Sequence, residues 1–172
     1  MDYRTSRQFR LDKDLYASQG TRLANYLIDY VCQILLMFAL VVVLTMISVI
    51  IGNDSILARI ENMNQIEEYG AAVVIILIYY NVFEIFFSRT IGKFITKTIV
   101  VNINGEKPDS QEILVRSLCR LIPFDGFSFL GAPNKGWHDS ISKTYVVKKE
   151  LLEKKKELFY SLDEIGNNTN EL

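Results

Sequence analysis

The sequence predicts an all-α integral membrane protein: a two-span helical hairpin with an interfacial amphipathic helix and a small two-strand cytoplasmic element. Three observations predict it. Apolar residues make up 49% of the 172 residues, and they gather into two blocks, about 23–51 and 71–88, separated by polar chain. The first block exceeds the roughly 20 residues needed to cross the hydrocarbon core, and the second is close to that length. The basic residues lie mainly outside the connection between them: 5 Lys and Arg through Arg22, 1 (Arg59) in the connection and 13 after the second block. Positively charged flanks stay cytoplasmic, which predicts both termini on that side.

Residues 1–20 form a predicted cytoplasmic arm, with Arg4, Arg7, Arg10 and Lys13 beside Asp2, Asp12 and Asp14. Leu11 and Leu15 are too few for a packed core, so the arm reads as solvated, with a short surface helix after Asp14. It lacks the apolar core and small-residue cleavage site of a signal peptide, and the first span therefore reads as an uncleaved anchor. That span ends at the turn cluster Gly52-Asn53-Asp54-Ser55. A polar connection follows over 52–70, and the second span returns the chain to the side it came from.

Beyond Phe87 the β-branched run Thr96–Val101 is a strand signal, and Asn104-Gly105 with Pro108 marks a turn. Lys143-Thr-Tyr-Val-Val147 almost repeats Lys97-Thr-Ile-Val-Val101, which predicts two short strands that pair and cover each other's edges. Between them, about 111–122 reads as an amphipathic helix. Its arginines, Arg116 and Arg120, and the breaker Pro123 argue against a third simple span, so the interface is its predicted place. The aromatic run PFDGFSFLGAP behind it is a loop or a shallow re-entrant piece. Residues 21–148 make one membrane domain, and 149–172 a charged helical tail.

Chemistry concentrates where the spans carry polar residues. Arg22, Asp29 and Gln33, separated by 7 and 4 positions, share one helical face, with Tyr26 beside them. Asn81, Glu84 and Ser88 form a matching stripe on the second span. In an antiparallel hairpin Asp29 and Glu84 fall at one level. A carboxylate at the centre of a membrane helix costs roughly 2.5–3.5 kcal/mol. Two facing acids therefore need a cation or a shared proton. The arrangement suits proton or sodium exchange, and it equally suits a structural polar clasp.

Other candidates are weaker. Arg116 and Arg120 fit anionic lipid headgroups or carboxylates, or an ordinary snorkelling face. His138 beside Asp139 can titrate near neutrality, or serve as a local hydrogen-bonding residue; no nucleophile accompanies it, and no enzyme, cofactor or metal motif is present. Gly92-Lys93 lacks the glycine spacing of a phosphate loop, and Gly92 reads as a permissive backbone position. Net charge is −1, which offers no field for nucleic acid.

Taken together, Arg22-Leu-Ala24-Asn-Tyr-Leu-Ile-Asp29, Arg89-Thr90-Ile-Gly92-Lys93, Val100-Val101 with Gly105 and Pro108, Arg116 and Arg120, and Trp137-His138-Asp139 leading to Thr144-Tyr-Val146-Val147 resemble the RDD family of bacterial membrane proteins. The resemblance covers about 18–148. It implies that the family's arginine is Arg22 and its two aspartates Asp29 and Asp139. It also implies a cytoplasmic-membrane location and a role in transport, in some members sodium/proton antiport. Ser88 and Lys97 stand where the family often has glycine. The resemblance further implies that Asp139 folds back to meet Arg22. Two function classes follow: an exchanger of a small cation or solute through Asp29 and Glu84, which as a two-span chain needs a homo-oligomer to enclose a pathway, or a non-transporting scaffold or assembly factor in the lipid bilayer.

Overall fold

The computed structural model describes residues 8–131 and 135–169. Asp2, Arg4 and Arg7 of the predicted arm, Pro133 of the aromatic run and the tail from Asn170 lie outside the described residues. The order is helix α1 (Gln19–Ile51), α2 (Ser55–Glu61), α3 (Gln65–Phe87), α4 (Ile91–Ile95), strand β1 (Thr98–Val101), α5 (Ser110–Cys119), α6 (Trp137–Ile141), β2 (Tyr145–Lys148) and α7 (Lys149–Thr169), with 3₁₀ segments at Lys13–Leu15 and Asp125–Leu130.

Helices α1 and α3 are the two apolar blocks, long and apolar enough to cross a membrane, with mean hydropathy 3.2 and 2.0 over their best windows. Helix α1 is capped by the Ser18 hydroxyl, which accepts from Thr21 N–H at 3.3 Å, and it stops at Gly52, whose φ of +66° closes the helix in the left-handed region. Helix α3 starts earlier than the apolar block because Asn64 and Glu67 form a capping box: Asn64 Oδ1 accepts from the Ile66 and Glu67 N–H groups at 3.0 Å each, and Glu67 accepts from Asn64 N–H at 3.1 Å. The connection is itself partly helical, as α2.

The buried residues of α1 are Arg22, Asn25, Asp29, Gln33 and Ser48, and those of α3 are Tyr79, Tyr80 and Glu84. The apolar residues that dominate both helices, among them Phe38, Met46, Ile50, Val74 and Ile78, are exposed. The hairpin is thus joined by polar side chains at one end and surrounded by apolar surface elsewhere, the reverse of a water-soluble helical pair.

At the polar end sits a small strand module. Strands β1 and β2 pair antiparallel in the register Thr98↔Lys148 through Val101↔Tyr145, the pairing that the near-repeat predicts. Residues of the arm pack against them, contrary to the predicted solvated arm. Leu11 N–H donates to Ile103 O at 3.0 Å and Ala17 N–H to Val146 O at 2.9 Å, while Phe9, Leu11 and Leu15 bury against Val101, Val147 and Leu152 of α7. The leucines have enough partners because the strands and α7 supply the other half of the core.

The repeat extends beyond the strands. Each strand follows a five-residue helix and a lysine in the left-handed region, Lys97 at φ +56° and Lys143 at φ +56°. Ser88, at φ +55°, is left-handed too. The backbone bends persist at Ser88 and Lys97, where glycine would be unstrained.

Helix α5 departs from its predicted setting as a snorkelling amphipathic helix. It ends at Cys119, and the face that carries Arg116 and Ser117 points inward together with Ile113 and Cys119, whereas Leu114, Val115 and Leu118 are 47, 40 and 57% exposed. Amphipathic spacing identifies a helix with two faces but not which face meets solvent.

Left-handed strain yields one expectation. The Lys97 side chain is exposed, with an ion pair to the exposed Glu150, so Lys97→Gly removes a conformational cost of about 1–2 kcal/mol against about 0.4–1 kcal/mol of added chain entropy. Its Tm in detergent should rise by a few degrees; a fall would contradict the strain argument.

Candidate functional site

The polar end of the hairpin holds a continuous cluster of buried charges. Asp29, on the inner face of α1, accepts three hydrogen bonds: from the Tyr79 hydroxyl at 2.8 Å, the Thr90 hydroxyl at 2.6 Å and Gly92 N–H at 2.8 Å. Gly92 lies so close to α1 that a Cβ there would stand 2.5 Å from Asn25 O and 3.0 Å from Asp29 Oδ1. Its role is close approach, since its φ is not positive. This corrects the reading of Gly92 as a site of backbone permissiveness. Asn25, one turn before Asp29, donates to Thr98 Oγ1 at 3.1 Å and accepts from the Thr96 hydroxyl, pinning β1 to the same helix face.

Glu84 of α3 is surrounded by cations. Lys93 Nζ and Arg120 Nη2 each donate to its Oε1 at 3.0 Å, and Arg116 Nε faces its Oε2 at 3.0 Å as an ion pair whose angle is poor for a hydrogen bond. Lys93 also donates to Thr90 Oγ1 at 3.2 Å, so Asp29 and Glu84 are linked through Thr90 and Lys93. The Arg120 guanidinium stacks over the Tyr80 ring at 3.8 Å.

Arg116 continues the cluster to α6. Its Nη1 donates to Asp139 Oδ1 and, at 2.7 Å, to Thr144 Oγ1. Asp139 Oδ2 accepts from Arg22 Nη2 and from Gly136 N–H, the latter at 3.0 Å. His138 lies between two acids: Asp125 Oδ2 is 2.6 Å from Nδ1, and Asp139 Oδ1 is 3.3 Å from Nε2. The formal charges of Arg22, Lys93, Arg116 and Arg120 balance those of Asp29, Glu84, Asp125 and Asp139.

The electrostatics outside the two spans follow from this packing. Burial alone would raise the Asp139 carboxyl, but the guanidiniums of Arg116 and Arg22, with the Gly136 N–H, hold it well below the ordinary carboxylate range. Burial lowers the Lys93 ammonium against the pull of Glu84. The His138 imidazole is pushed down to about 4, first by burial and then by Arg116 and Arg120, in spite of Asp139 and Asp125. It is neutral at physiological pH, with Nδ1–H donating to Asp125, which corrects the reading of a group titrating near neutrality.

Of the residues marked in the sequence, Arg22 and Asp139 meet directly, and Asp29 and Glu84 occupy one cluster. Gln33 shares the Asp29 face and is buried, with no hydrogen bond to its Nε2. Arg116 and Arg120 point into the protein, with side chains 1 and 12% exposed, and so do not fit the expectation of contact with lipid headgroups. Lys93, Thr90 and Thr144, which the sequence marks only as part of the family pattern, and Tyr79 and Asp125, which it does not mark, complete the cluster. The available signal was weak: Lys93 lies one turn after Thr90, and Thr144 is the counterpart of Thr98 in the repeat.

The RDD family model matches residues 16–143, from the last residues of the arm through α6. The chain belongs to the RDD family. No curated protein and no solved structure matched it. In this RDD protein Arg22 and Asp139 are one buried ion pair, and Asp29 is the acceptor that binds α3 and α4 to α1.

The sign of the His138 shift fixes a pH dependence. The unfolded chain takes up a proton below about 6.5, the folded RDD protein only near 4. Stability is therefore complete above pH 6.5 and declines as pH falls from there to 4, by roughly 3 kcal/mol at the limit. This chain has a single histidine, so His138→Asn should flatten that window in thermal unfolding. An unchanged slope would contradict the assignment.

Proposed function

We propose that this RDD protein is a membrane scaffold in which the buried ionic cluster clasps a cytoplasmic module, made of the strands, α4 and α6, onto a two-span hairpin. The observation that supports it is the saturation of the acids. Glu84 faces Lys93, Arg116 and Arg120. Asp139 faces Arg22 and Arg116, and Asp29 accepts three hydrogen bonds. A cation transported through Glu84 or Asp139 would have to displace fixed guanidinium and ammonium groups, at the cost of leaving them buried without partners, and one bound at Asp29 would have to break its three hydrogen bonds. The placement of the module on the cytoplasmic side rests on the 5, 1 and 13 basic residues before, between and after the spans.

A second reading, exchange of protons or sodium, has one observation in its favour. A cavity of about 30 Å³ touches Arg22, Asn25, Asp29, Lys93, Arg116 and His138. A buried water needs roughly 10–15 Å³, so the cluster has room for water beside Asp29, the first requirement of a proton relay. In this reading the pathway is completed by a homo-oligomer.

Liposomes containing the purified protein and an internal pH dye separate the two. The scaffold reading predicts no sodium-driven pH change above that of protein-free liposomes. A sodium-dependent change that Asp29→Asn abolishes, while the variant remains folded, would overturn it in favour of exchange.

A further inference from the structure

We infer that α5 and the turn behind it form a re-entrant wedge, inserted into the bilayer beside α3 and covered on its outer side by lipid acyl chains. The first argument is the inverted exposure of α5. Charged Arg116 faces the protein interior, and Leu114, Val115 and Leu118 face outward. The apolar outer surface continues through Leu121, Ile122, Phe124 and Phe127. Such a surface is unfavourable in water and favourable in hydrocarbon.

The second argument is depth, measured along α3. Before α5, Lys107 Nζ donates to Phe86 O at 3.5 Å, at the last turn of α3. Arg120 then reaches Glu84 and Tyr80, and residues 121–127 border a crevice with Tyr69, Ala72, Val73 and Ile76. Each step along this segment lies further from the polar end of the hairpin. At 1.5 Å per residue, Ile76 is about 16 Å from Phe87, well inside a hydrocarbon core of about 30 Å.

The third argument is how the segment turns and returns. Pro123 follows the helix, and Phe124, at φ +67° and 79% exposed, forms the apex. The chain comes back through Asp125–Leu130, where Phe127 packs on Tyr26 at 5.7 Å and Leu130 O accepts from Gln19 Nε2 at 2.9 Å, in the first turn of α1. Entry and exit lie at the same end of the hairpin. Irregular backbone within a bilayer must satisfy its polar groups within the protein, and four N–H groups of this turn do so: those of Leu121, Ile122, Asp125 and Phe127 donate to the Leu118, Cys119, Ile122 and Phe124 carbonyls. The arginines that argue against a span in the sequence are neutralised by Glu84 and Asp139. The crevice between wedge and α3, about 330 Å³, has the exposed rings of Tyr69 and Phe124 in its lining, and acyl chains reach it there.

Trp137 is the single tryptophan, so Trp137→Phe with Phe124→Trp gives one reporter at the apex. The full chain is reconstituted in phosphatidylcholine brominated at defined acyl positions. Mid-chain bromines should quench at least twofold more than bromines near the carbonyl, and aqueous iodide should not quench. Strongest quenching by carbonyl-proximal bromines or by iodide overturns the wedge in favour of an interfacial loop. Quenching by neither means that protein, such as a second copy, covers the apex, and overturns the lipid contact. Leu118→Trp in the same background, with quenching biased toward shallower bromines, serves if the apex variant does not fold.

Discussion

Arg116 stands between Glu84 on α3 and Asp139 on α6, and the position of every neighbouring element depends on that guanidinium. It is fully buried, so it must be compensated where it sits, and the compensating acids come from segments far apart in the chain. Satisfying one group therefore fixes α3, α5 and α6 relative to one another. Arg22 adds α1 through Asp139, and Lys93 adds α4 through Glu84. Charge balance here does the positioning that an apolar core does in a soluble domain.

That division of labour has a physical reason. In hydrocarbon, apolar side chains gain little by meeting one another, so helix pairs are specified by polar contacts and close packing. The exposed outer half of α1 and the buried polar residues of its first turns follow from this. Buried ion pairs add little net stability relative to apolar replacements, but removing one partner leaves an uncompensated charge and costs about 3–5 kcal/mol. The cluster is thus better understood as a device that selects one arrangement. Gly92 serves the same end sterically, because no side chain fits between α4 and α1.

Much of this was legible in the sequence. The two long apolar helices follow from length and hydropathy, and the strand pairing from the near-repeat of Lys97–Val101 at Lys143–Val147. The shared face of Arg22, Asp29 and Gln33 follows from helical spacing. The contact of Arg22 with Asp139 could be anticipated only by family resemblance, since 117 residues separate them. Three features were hidden. Leu11 and Leu15 read as too sparse for a core because their partners, Val101, Val147 and Leu152, lie far along the chain. Helix α5 was assigned a wet polar face, because periodicity does not say which side meets solvent. Lys93 has no role in the sequence beyond the family pattern, and only the turn of α4 brings it to Glu84.

The central claim is that Arg22 and Asp139 act as one unit that locks the strand module to the hairpin. A double-mutant cycle on unfolding free energy in detergent, with Arg22→Ala, Asp139→Ala and both together, tests it most directly. Each single variant should lose about 3–5 kcal/mol, and the double variant should lose little more than either alone, a coupling of at least 1–3 kcal/mol. Strictly additive losses would contradict the account.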